Sequence, residues 1–186
     1  MSIVSNKLKY GIYFANLAEY ISGRMVGDWV YPLAYADFEA FNDAIEVATE
    51  VAWEDPDEIA VHDYDNFPNM GEYPDHESIY NLAHALDGSS LDDDILIQYF
   101  EDNFSNDFEE LPDVINQIED AYVGEYDSLN DFAVEEANEH IGSVVNQRAQ
   151  QFVSEYFDYE SYANDLRHDY NIIDTVNCKI AVFSIV

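Results

Sequence analysis

The sequence predicts an α+β fold. Short stretches of alternating apolar and polar residues stand near both ends of the 186-residue chain, and helical apolar stripes fill the region between them. Strands and helices therefore segregate along the chain rather than alternating strictly. Hydrophobic residues make up 48% of the sequence and aromatic residues 15%. Disordered acidic chains are poor in aromatics because they have nothing to bury, so this chain folds.

The first section covers residues 1–73. Residues 10–17 alternate with strand period, Ile12 and Phe14 on one face, Tyr13 and Ala15 on the other. Ser22-Gly23 supplies a turn, and MVGDWVY (25–31) returns as a second strand. After Asp37 a helix carries Phe38, Phe41, Ile45 and Ala48 as one apolar stripe. Residues 58–64 form a third strand candidate, giving a small sheet with one helix on it.

The central section, 74–118, reads as helical. Pro74-Asp75 opens a helix whose stripe is Ile79, Leu82, Ala83 and Leu86, and DGSS (87–90) ends it. Ser90, with Asp93 at the capping-box position, opens another with Ile95, Tyr99 and Phe100 inward. Residues 105–118 read as two short helical turns interrupted at Pro112.

The last section, 119–186, begins with a short strand over residues 121–126. Ser128 and Asp131 form a capping box for a helix carrying Leu129, Phe132, Ala133 and Ile141. A further helix uses Ala149, Phe152, Val153 and Tyr156. Asp158 caps the stretch YESYANDL, and residues 172–184 finish the chain as strand. Three Gly-acid-aromatic triplets, beginning at Gly27, Gly71 and Gly124, precede helices, but their unequal spacing excludes a solenoid repeat.

The net charge is −34, from 40 acidic and 6 basic residues. A small soluble domain is well served by a magnitude of roughly 2–8. No lysine or arginine occurs from Met25 to Gln147, a stretch holding 33 of the 40 carboxylates. Self-repulsion opposes compaction, and each like-charged helical neighbour costs about 0.2–0.5 kcal/mol. A few lysines would relieve this, so the charge itself is expected to be functional.

Several classes are excluded or disfavoured. No apolar run of about 18 residues exists for a membrane span, and the basic residues of the start follow its apolar ones, unlike a secretory signal. One cysteine, Cys178, excludes disulfide scaffolding and cysteine-based metal sites within a chain. The compartment expected is the cytoplasm. The five histidines form no His-Glu-x-x-His pattern: after His76-Glu77 the second histidine's position holds Tyr80. Calcium-loop registers fail too, since that from Asp63 puts Phe67 at a ligand position and Pro68 where glycine is needed, and that from Asp92 puts Leu96 and Ile97 there. No nucleophile elbow, phosphate loop or dinucleotide fingerprint occurs. Neither an enzyme nor a cofactor is expected.

The acidic residues suggest an imitation. Glu39, Asp43, Glu46 and Glu50 step along one helix face at about 5–6 Å, opposite the Phe38/Phe41/Ile45 stripe. Phosphates on one strand of B-DNA come every ~3.4 Å of axis, so two or three such rows side by side match their density. The other rows are Asp92, Asp93, Asp94, Glu101 and Asp102, and Asp127, Asp131, Glu135 and Glu136. At two charges per base pair, 34 net charges equal the phosphates of roughly 17 base pairs, or about 58 Å of duplex. The match requires an elongated body. A generally solvated acidic surface is the alternative for any single row.

Four ordered segments carry a family resemblance: YGIYFANLAEYISGRMVGDWV (10–30), IAVHDYDNFP (59–68), EDAYVGEYDSLNDFA (119–133) and FDYESYANDL (157–166). They resemble the successive signatures of the ArdA-type antirestriction proteins, over nearly the whole chain from Tyr10 to Phe183. The resemblance implies an elongated, curved, three-domain protein that dimerises through its C-terminal domain. It implies mimicry of bent B-form DNA and occupation of the DNA-binding groove of Type I restriction-modification enzymes, with no direct nucleic-acid binding. Such proteins are carried by mobile genetic elements. On this reading Glu119, Asp120, Glu125 and Asp127 are surrogate phosphates near the dimer junction, where Tyr122, Val123 and Tyr126 build a sheet or subunit contact. The leading residues with Lys7 and Lys9, and the segment 138–150, do not match the family pattern. Two rival readings remain: halophilic adaptation of an unrelated fold, and an acidic decoy for another DNA-binding protein.

Overall fold

In β1 (Gly11–Asn16) the expected alternation is realised: Ile12 and Phe14 are fully buried and Tyr13 is half-buried on the other face. Ala15, expected beside Tyr13, is buried as well, because this central strand places it between Gly27 and Ala60. The computed structural model of the chain describes residues 8–52, 58–103, 111–144 and 147–185. The chain is α+β and divides into two compact units, Met1–Asn116 and Gln117–Val186.

In the first unit β1 lies between β2 (Gly27–Val30) and β3 (Ile59–Asp65), both antiparallel to it. A short helix not expected from the sequence, α1 (Leu17–Ile21), follows β1 directly. Asn16 caps it by accepting the Glu19 N–H at 3.0 Å, and donates its amide to the Thr49 carbonyl. One side chain thus starts one helix and satisfies the end of another.

The helix α2 (Phe38–Thr49) is capped by Asp37, whose carboxylate accepts the Ala40 N–H at 2.9 Å. It packs on one face of the sheet through buried Phe41, edge-on to Phe14 at 6.1 Å. The helix ends at Glu50, which adopts the left-handed conformation with φ 59°. In α3 (His76–Gly88) the predicted stripe Ile79, Leu82, Ala83 and Leu86 is buried, and Asp75 caps through the Ser78 N–H.

One expectation for the central helices changes. The next helix, α4 (Asp93–Asn103), begins beyond the position Ser90 would cap; the Ile95 and Leu96 N–H groups donate to the Asp92 carbonyl. Leu96 is buried with Ile95 and Phe100, whereas Tyr99 is only half-buried. The helix α5 (Leu111–Ala121) includes Pro112 near its described start, and the helical turn expected before Pro112 falls on residues outside those described. Residues 104–110 lie outside the described residues.

The second unit holds β4 (Tyr122–Tyr126), α6 (Leu129–Val144), α7 (Gln147–Tyr156), α8 (Tyr159–Leu166), β5 (Tyr170–Asp174) and β6 (Ile180–Ser184). Its sheet has the antiparallel order β4-β6-β5, with Ala181, Val182 and Phe183 of the central strand fully buried. Phe132, Ala133, Ala163, Leu166 and Val182 form a core flanked by Tyr126, Tyr162 and Tyr170. Ser128 caps α6 by accepting the Asp131 N–H at 3.2 Å, while the Asp131 carboxylate accepts the Ser128 hydroxyl and not, as in the reciprocal box, its backbone N–H. The Asp158 cap forms as expected.

Two boundaries and one burial differ from the sequence reading. Ala121 closes α5 and does not begin the strand. The stretch 172–184 is a hairpin of two strands, closed by the Thr175 N–H to the Lys179 carbonyl and by Cys178 at φ 59°. Tyr156 is 73% exposed and not on an inward stripe; the side chain of Phe152 lies outside the described residues. The glycines of the Gly-acid-aromatic triplets at Gly27 and Gly71 meet unlike needs. A Cβ on Gly27 would lie 2.3 Å from the Phe14 carbonyl oxygen, whereas Gly71 takes φ +89° in open space.

Candidate functional site

The acidic residues dominate the surface, and the structure separates them by what each touches. On α2, Glu39 and Asp43 are exposed and Glu46 is half-buried. Glu50 leaves the row, since the chain turns left-handed there and no longer follows the helix face. On α4, Asp93 and Asp94 occupy the first turn, where the N-terminal helix dipole favours negative charge. Asp92 precedes them exposed, and Glu101 and Asp102 are exposed in the last turn. Asp102 accepts a bond from the Gln98 amide at 3.2 Å.

Asp93 is not a solvent-facing carboxylate. Its Oδ1 accepts the Lys9 ammonium at 2.9 Å and the Tyr10 hydroxyl at 3.0 Å, and its side chain is 22% exposed. Asp87 completes the pocket at 3.3 Å from Lys9. Burial works against the Lys9 charge, but the hydrogen bonds with Tyr10 and Asp93 outweigh it and hold the ammonium above the usual lysine range. This is an internal neutralisation of the kind that makes a carboxylate structural.

The second unit shows the same division. Glu119 is half-buried and Asp120 exposed, both in the last turn of α5, where the dipole disfavours negative charge. Lys179 reaches Glu125 at 3.1 Å and Asp127 at 3.6 Å. These two carboxylates, Glu125 first, raise its pKa. On α6, Asp131 belongs to the cap and Glu135 is exposed, while Glu136 is half-buried and accepts the Tyr170 hydroxyl at 3.2 Å. Burial and the Glu135 and Glu136 carboxylates push the Tyr126 hydroxyl up, and burial with Glu136 does the same to Tyr170. The tyrosines here stay protonated donors inside a negative field.

The residues expected at a subunit contact divide as well. Tyr126 packs on Phe132 at 5.0 Å and belongs to the unit's own core; Tyr122 lies against Phe183 at 5.4 Å. Val123 is 43% exposed on β4, an edge strand of its sheet. Sequence reasoning missed the carboxylates that face their own cations, because Lys9 and Asp93 lie far apart in sequence and meet only in the folded unit.

Lys9, Arg24 and Lys179 are each turned onto carboxylates of this chain, Arg24 onto Glu19. Among the described residues no group of three or more His, Cys, Asp or Glu could hold a metal ion. No helix among them is long and apolar enough to cross a membrane. A search of curated proteins returns no match. The family model described as antirestriction protein (ArdA) matches residues 12–178, most of the chain.

Proposed function

The chain belongs to the antirestriction protein (ArdA) family, whose members inhibit restriction-modification enzymes, and from that premise we propose that it acts by standing in for B-form DNA. Its carboxylates take the places of phosphates in the Arg- and Lys-lined groove of a Type I restriction-modification enzyme. One observation carries the reading: the long stretch without lysine or arginine is matched by a fold that turns Lys9, Arg24 and Lys179 onto carboxylates of the same chain. These three cations are thereby neutralised within the chain, and Arg167 is exposed in the second unit.

On this reading the exposed carboxylates Glu39, Asp43, Asp92, Glu101, Asp102, Asp120 and Glu135 are the surrogate phosphates. Asp93, Glu125 and Asp127 instead anchor lysines. The protein works in the cytoplasm of a bacterial host as a homodimer joined through residues 119–186. Val123 on the open edge of β4 supplies a contact there, as exposed strand edges readily pair with another chain.

Titrating the protein into a Type I methyltransferase core holding labelled target duplex tests the proposal. Duplex should be released at low salt near stoichiometric protein, and release should weaken steeply as salt rises, as DNA binding itself does. Duplex that stays bound at stoichiometric excess in low salt refutes it.

A further inference from the structure

The three-stranded sheet of the first unit has one face packed on α2 and a second face of unusual composition. Tyr13 stands opposite both Trp29 and Asp63, and Gly11 opposite Asp65, so these residues share the face turned from α2. Their rings form a row: Trp29 to Tyr13 at 5.5 Å, Tyr13 to His62 at 6.5 Å, His62 to Tyr20 of α1 at 4.6 Å. A Cβ on Gly11 would come within 3.1 Å of the Trp29 and Tyr31 rings, so glycine lets both rings settle there. Tyr13, Trp29, Tyr31 and His62 are half-buried and Tyr20 is 51% exposed.

An antiparallel sheet with one packed face ordinarily presents polar residues on the other. A contiguous aromatic row there marks a contact surface. The rim decides the occupant: Asp63 and Asp65 are exposed on β3, while Lys9 and Arg24, which flank β1 and α1, are turned onto Asp87 and Asp93 and onto Glu19. A second copy of this chain would bring Asp63 and Asp65 against their own equivalents, a like-charge contact. A guanidinium fits instead, since its plane stacks on aromatic faces while its N–H groups meet carboxylates.

We infer that the outer face of the β2-β1-β3 sheet is a docking surface for arginine side chains of a basic protein partner, stacked on the Tyr20–His62–Tyr13–Trp29 row and paired with Asp63 and Asp65. The inference rests on the reading of this protein as the occupant of a basic DNA-binding groove. It adds that arginine, more than lysine, supplies the contact here.

The test is an NMR titration of the full chain with oligo-arginine and oligo-lysine peptides of equal length, with Trp29→Phe used to assign the indole signal. Oligo-arginine should shift the Trp29 indole N–H and bind about tenfold more tightly than oligo-lysine. Tyr20→Ser with His62→Thr should cut the preference to about twofold with no change in thermal melting. Equal affinity for both peptides with the Trp29 indole unmoved overturns the inference, whether or not the protein displaces DNA from a methyltransferase. An indole shift that depends on protein concentration without peptide also overturns it, because a second copy is then the occupant. Arginine preference at Trp29 in a protein that fails to displace DNA upholds the face and refutes only the groove proposed above.

Discussion

Replacing Asp93 with Asn, beside Asp43 with Asn, separates a carboxylate used in folding from one turned to solvent. Asp93 holds Lys9 at 2.9 Å and the Tyr10 hydroxyl at 3.0 Å, with 22% of its side chain exposed. Asn keeps an acceptor oxygen for Tyr10 but loses the charge facing Lys9, which retains only Asp87 at 3.3 Å. A sheltered hydrogen bond to a charged group contributes about 1.5–3 kcal/mol, and an exposed ion pair about 1 or less. The geometry here lies between, so Asp93→Asn costs about 1–2 kcal/mol and lowers melting by about 4–8 °C. Asp43 is exposed on α2 between Glu39 and Glu46, at four and three residues' distance. Neutralising it relieves like-charge repulsion and leaves melting unchanged or slightly raised. Competition with labelled duplex across a salt series supplies the second readout, since each surrogate phosphate contributes about 0.9 to the slope of log affinity against log salt. Asp43→Asn should reduce that slope by about one, and Asp93→Asn should leave it in place. If Asp93→Asn instead reduces the slope while melting is unchanged, the division between structural and presented carboxylates is wrong.

Two further outcomes follow from the cores. Phe132 is 1% exposed among Tyr126 and Tyr170, so Phe132→Ala should cost about 3–5 kcal/mol. Hydrogen exchange by mass spectrometry should then show β4, β5 and β6 losing protection while β1, β2 and β3 keep theirs; equal loss in both sheets would contradict two separately built cores. His76 lies edge-on to Phe14 at 5.3 Å with Nδ1 3.2 Å from Asn42 Oδ1, and burial lowers its pKa against the opposing pull of Asp75. The folded state thus favours neutral imidazole, and on acidification the unfolded chain takes up this proton first. The associated stability is complete above the ordinary value near 6.5 and is lost as pH falls through it. Urea midpoints of the protein and of His76→Gln, compared at about pH 7.5 and pH 5.5 around that ordinary histidine value, should show the parent losing more; equal losses would remove His76 from the account.

The sequence by itself determined the α+β class, most helices and strands, and the acidic character of the surface. These are legible because they are local: a period of two or of 3.6 shows which face is apolar, and an aspartate or serine before the stripe shows where the chain enters the helix. Asp37, Asp75, Ser128 and Asp158 all cap as their neighbours foretell. Locality also explains the errors. Residues 172–184 read as one strand until the turn at Thr175–Lys179 folds them back.

What only the tertiary structure decided is which carboxylates remain outward. Along the chain Asp43 and Asp93 look alike, each an acid on a helix. Lys9 reaches Asp87 across 78 residues and Asp93 from the same position, and Lys179 reaches back to Glu125 and Asp127 across the β4–β6 pair. An ion pair depends on distance in space, and a periodic pattern in sequence carries no information about cations that far away. The acidic field belongs to the sequence, whereas the set of charges presented to a partner belongs to the fold.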